Sequence, residues 1–103
     1  MNRIFFISFL TIIGYIQSIA GGLPKLSGNY PNPANGLTYV DVEFSSSEAE
    51  IVLSNILGEV ISSQKVSSSG TYVIDVTDIP EGVYFYTLEA GNDKITRKLT
   101  VKK

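Results

Sequence analysis

The chain has 103 residues, ten carboxylates against eight cations, a formal net charge of −2, and neither cysteine nor histidine. That composition excludes disulfides, thiolate catalysis and zinc–thiolate sites, and it removes the commonest general base and metal ligand. The slight negative balance argues against nucleic-acid binding by the body of the protein.

The chain begins as a secretory signal peptide. Asn2-Arg3 adds positive charge, Ile4–Ile16 is apolar apart from a few neutral residues, and Ser18-Ile19-Ala20 sets small residues where a signal peptidase reads. The 13-residue apolar run is short of the roughly 20 residues that span a bilayer as a helix. Cleavage is expected between Ala20 and Gly21. It leaves no stable transmembrane segment and one small domain with a thin core.

Gly21–Asn29 has no periodicity and reads as a flexible linker. In Tyr30-Pro31-Asn32-Pro33 each proline fixes its own φ and extends the residue before it, so the segment should be rigid. Ala34-Asn35-Gly36 turns into the first strand, Thr38–Phe44, with Val40, Val42 and Phe44 on one face. Ala49–Leu53 is the second strand, with Ala49, Ile51 and Leu53 inward. Asn55–Gly58 is a turn that places Gly58 in a left-handed conformation. Glu59–Val66 is a weaker strand and Thr71–Val76 a stronger one, with Tyr72, Ile74 and Val76 inward. After the corner Asp78–Gly82, a terminal hairpin runs through Val83–Ala90, the turn Gly91-Asn92-Asp93 and Ile95–Val101. No helical period survives after the signal segment. The fold class is all-β: a small antiparallel sandwich of about six to seven strands, preceded by the signal-peptide helix. The step Gly82-Val83-Tyr84 resembles the tyrosine corner of immunoglobulin-like sandwiches.

Candidate chemistry is sparse. Asp41 and Glu43 share a strand face, as do Glu48 and Glu50 if the second strand starts early. Two such side chains lie roughly 7 Å apart, a plausible glycosidase separation, but strand alternation already demands polar residues there and favours the solvated face of an amphipathic strand. Tyr84, Tyr86 and Leu88 alternate, as a sugar-stacking platform or a half-buried core strand would. No metal, cofactor or catalytic constellation is expected. The charge itself is segregated. All ten carboxylates lie between Asp41 and Asp93, whereas Lys94, Arg97, Lys98, Lys102 and Lys103 close the chain.

Four motifs in order carry a family resemblance. They are Tyr30-Pro31-Asn32-Pro33, the turn Asn55–Val60 around Gly58, the corner Ile79-Pro80-Glu81-Gly82-Val83-Tyr84, and the basic end Lys98-Leu99-Thr100-Val101-Lys102. Tyr30–Lys103 thereby resembles the C-terminal sorting domain of proteins exported by the type IX (Por) secretion system. The resemblance implies an immunoglobulin-like sandwich without catalytic activity or cofactor. It also implies a route: the Sec pathway to the periplasm, then recognition by outer-membrane machinery and delivery to the cell surface or medium. A sortase-like protease usually removes such a domain and attaches the cargo to lipopolysaccharide. Lys98, Leu99, Val101, Lys102 and Lys103 become the expected recognition positions. Such a domain normally follows a large cargo, whereas here Gly21–Asn29 alone lies between it and the signal segment. The competing expectation is a small secreted carbohydrate-binding or adhesion module, which rests on the tyrosine-rich strand.

Secreted material should begin at Gly21 when its amino terminus is read by mass spectrometry. A chain that still begins at Met1 and is extractable only with detergent would contradict the signal-peptide reading.

Overall fold

Alternation of apolar and polar residues determines which side of each strand is buried. The computed structural model describes residues 22–103. The expected signal segment and its cleavage point at Ala20-Gly21 lie outside the described residues. Seven strands follow in order: β1 (Lys25–Leu26), β2 (Leu37–Glu43), β3 (Ala49–Asn55), β4 (Val60–Val66), β5 (Gly70–Asp75), β6 (Gly82–Ala90) and β7 (Asp93–Val101). They form two sheets, β1-β2-β5 and β4-β3-β6-β7, with every neighbouring pair antiparallel. This is the expected immunoglobulin-like sandwich.

The core lies between the sheets. Val40, Val42, Ile74 and Val76 meet Ile51, Leu53, Tyr84, Tyr86, Leu88, Leu99 and Val101. Burying each such side chain contributes about 1.5–3 kcal/mol. In β6, Tyr84, Tyr86, Leu88 and Ala90 are buried and the residues between them are not. Tyr84 and Tyr86 therefore form no exposed stacking surface.

Turn chemistry fixes the register. Gly58 has φ +86°, and the Asn55 carboxamide oxygen accepts the N–H groups of Leu57 and Glu59 at 2.9 and 3.0 Å. Ala90 pairs with Asp93, so the terminal hairpin turns on Gly91-Asn92 alone, and Asp93 already belongs to β7. Gly91 takes φ +62° while Asn92 stays negative, as in a two-residue turn led by glycine.

The linker expectation for Gly21–Asn29 is corrected at its centre. Lys25 and Leu26 pair with Glu43 and Val42, and Leu26 and Asn29 are buried. Two residues are too few to show a period, and their partners are distant in sequence. Tyr86 donates its hydroxyl to Ser27 O at 2.8 Å. Asp41 donates its N–H to Ser27 Oγ at 2.8 Å.

The corner after β5 behaves as its sequence predicts. Tyr84 is 7% exposed, and its hydroxyl donates to Pro80 O at 2.6 Å, four residues upstream. Tyr84→Ala should cost about 3–5 kcal/mol in denaturant unfolding, from lost packing and the cavity left behind. Tyr84→Phe removes only the hydroxyl bond and should cost about 1 kcal/mol. Equal stability of the parent and Tyr84→Ala would show that the corner does not hold the fold.

Candidate recognition surface

The terminal strand is cationic by composition, but its charges do different things. β7 puts Leu99 and Val101 fully into the core. The strand period then sends Lys94, Thr96, Lys98 and Thr100 to the outer face of the four-stranded sheet. Of the five expected recognition positions, Leu99 and Val101 are thus core residues.

Three of the five terminal cations are occupied. Arg97 crosses between the sheets, and its Nε donates to Leu26 O at 2.6 Å. Lys103 folds back onto the end of β5, where its Nζ donates to Val76 O and Thr77 O, both at 2.9 Å. Beside it, the Asp75 carboxyl is held below the usual range. The Thr77 hydroxyl is the main cause, the Thr77 N–H adds to it, and the Lys103 charge contributes less. Lys94 lies 3.9 Å from Glu89 in an exposed pair that contributes little. Lys98 and Lys102 are exposed and have no ion pair within 4.0 Å among the described residues. Lys98 stands beside Phe85 in the ladder.

The proline-rich motif supports the same strand. Ala34, just past Pro33, bridges β7 in parallel: its N–H donates to Thr100 O at 2.8 Å, and its carbonyl accepts from Lys102 N at 2.9 Å. Upstream, Thr38 is fully buried, donates to Pro31 O at 2.9 Å and accepts from Asn29 Nδ2 at 3.1 Å. Tyr30 sits on the surface with its ring centroid 6.1 Å from that of Tyr39. Both X–Pro bonds of the motif, Tyr30-Pro31 and Asn32-Pro33, are cis.

Of the acidic pairs, Asp41 is the carboxylate most engaged by its neighbours. Asp41 Oδ1 accepts from Thr71 Oγ1 at 2.6 Å and from the Tyr30 hydroxyl at 2.8 Å. These bonds, Thr71's first, hold the Asp41 carboxyl below its ordinary range, the opposite of what a proton donor needs. Glu43 lies 3.8 Å from Lys25. Glu50 lies in the ladder between Lys65 and Glu89. Among the described residues, no group of three or more acidic side chains is placed to hold a metal ion.

The four sequence motifs therefore mark the strap beneath β7, the β3–β4 turn, the tyrosine corner and β7 itself. The family model for the secretion system C-terminal sorting domain matches residues 29–102. The chain belongs to that family. The match starts at Asn29, the buried residue that holds Pro31 and Thr38, and ends at Lys102, which Ala34 ties down. No curated protein matches the chain.

Sequence reasoning missed the ties made by Ala34, Arg97 and Lys103. Each runs to a backbone group from a distant part of the chain, which leaves no local pattern. Lys103→Met should lower stability by about 1 kcal/mol because Thr77 O and Val76 O lose the ammonium donor, Val76 O keeping only the longer bond from Ile79 N. Lys98→Gln should leave it unchanged. Thermal unfolding of the two variants checks this, and equal melting temperatures would contradict the assigned division of the terminal charges.

Proposed function

We propose that this domain is a non-catalytic sorting module. The Sec pathway delivers it to the periplasm, and the outer-membrane type IX machinery then directs it to the cell surface or the medium. The observation that supports this best is the family match over residues 29–102, combined with a chain end where Lys98 and Lys102 are exposed and make no ion pair among the described residues. Lys98 and Lys102 are the recognition charges in this reading. Arg97 and Lys103 act in the fold, and Leu99 and Val101 set the strand's position by burial. Removal of the domain by a sortase-like protease, with attachment to lipopolysaccharide, belongs to the same reading. It rests on the family alone.

The structure also dictates how to test it. Deleting Leu99–Lys103 would remove two fully buried side chains and would report on folding. A fusion that starts at Tyr30 would lose β1 and Asn29. Gly22–Lys103 should therefore be placed behind a signal peptide and a fluorescent cargo, with Lys98 and Lys102 both changed to Gln. The variant should melt like the parent. Its surface fluorescence should fall roughly tenfold, with the cargo retained in the periplasm. Unchanged delivery of a folded variant would contradict the assignment of these two lysines.

A further inference from the structure

Sheet edges present unpaired N–H and C=O groups, and folded β-proteins guard them. The two sheets have four edge strands, β1, β5, β4 and β7. β1 is two residues long. β4 is bulged: its register shifts between Leu53 and Ser54, leaving Ile61 without a partner. β5 has its open side crossed by Gln64, whose Nε2 donates to Val73 O at 2.8 Å. β7 differs from these. It is nine residues long and pairs with β6 without a shift.

Among the described residues, backbone hydrogen bonds from outside the sheet reach only the end of β7. Ala34 takes Thr100 O and Lys102 N, so Thr100 and Lys102 face away from β6. Bonding direction alternates along an antiparallel strand. Ile95, Arg97, Leu99 and Val101 therefore bond β6, while Lys94, Thr96 and Lys98 turn their N–H and C=O groups to the open side. Among the described residues, no backbone outside the strand pairings meets these three.

We propose that β7 over Lys94–Lys98 is a strand-addition site, where an extended, acidic segment of the export machinery joins the four-stranded sheet. This rests on the sorting reading above and specifies where and how the partner binds. The side chains choose the occupant. Lys94 and Lys98 project from one face, four residues apart, on either side of Thr96. A second copy of β7 laid antiparallel about Thr96 would set Lys94 of each copy opposite Lys98 of the other, two like-charge pairs that disfavour self-association. A strand with carboxylates at those two positions turns both pairs favourable. The lysines thus exclude the chain's own edge and admit an acidic one. Lys94's exposed contact with Glu89 is weak enough to exchange.

The test uses the full chain in a host with the type IX machinery and in the same host without it. Thr96→Pro removes the central outward N–H and no ladder bond to β6. Thr96→Val keeps that N–H and removes only the 2.8 Å hydroxyl contact with Thr87. Lys94→Glu with Lys98→Glu keeps every N–H and reverses the charge. Each purified variant is melted to establish that it folds. Thr96→Val should reach the surface or medium like the parent. Thr96→Pro and the charge-reversed chain should fall roughly tenfold, with the missing chain in the periplasm. A folded Thr96→Pro chain exported at the parental level overturns the proposal, as does parental export of the charge-reversed chain. If Thr96→Pro does not fold, the charge-reversed chain decides alone. Equal export of the parent with and without the machinery overturns the sorting reading itself.

Discussion

The fold depends on how the terminal hairpin closes the sandwich. The chain has no cysteine, so no disulfide compensates for a thin core. Tyr86 is fully buried at the centre of β6 and passes its hydroxyl across the core to Ser27 O. Burial is the main cause that pushes that hydroxyl's pKa up, and the carbonyl partner satisfies a donor that would otherwise be costly. Arg97 makes a parallel tie from β7 to Leu26 O. These bonds hold the first described strand to the last two. The segment just ahead of the family match and the cationic strand at its end therefore stand or fall together.

This closure separates two demands on β7. Its inner face must be apolar to complete the core, and Leu99 and Val101 meet that demand. Its outer face and free edge are left to other uses. The outer face and open edge of β7 take this form only when the domain is folded, because the burial of Leu99 and Val101 positions both. Arg97 and Lys103 lie within a cationic sequence but act as hydrogen-bond donors to backbone carbonyls. Charge count alone overstates the charge available to a partner.

The sequence made most of the sandwich legible because strands have a period of two. Ala49, Ile51 and Leu53 were readable as one buried row, and so were Tyr84 and the glycine turns, whose conformations only certain residues allow. What stayed hidden involves partners that share no local pattern. β1 is too short to alternate. The Ala34 bridge is a backbone contact made by a single small buried residue, which leaves no periodic pattern. The buried Asn29–Thr38–Pro31 network looks like loop polarity until Thr38 is seen to be fully enclosed. The functional assignment was legible through ordered motifs, since strand periodicity describes many unrelated sandwiches equally well.

Residue-resolved hydrogen exchange of the folded protein tests most directly whether β7 is a core strand with an open outer edge. The amides of Ile95, Arg97, Leu99 and Val101 should exchange slowly, with rates set by opening of the hairpin. Lys102 should also be protected through Ala34 O. Lys94, Thr96 and Lys98 should exchange rapidly, giving an odd–even alternation along a single strand. Uniform protection from Lys94 to Val101 would show the edge already occupied, and uniformly fast exchange would show a strand not built into the sandwich.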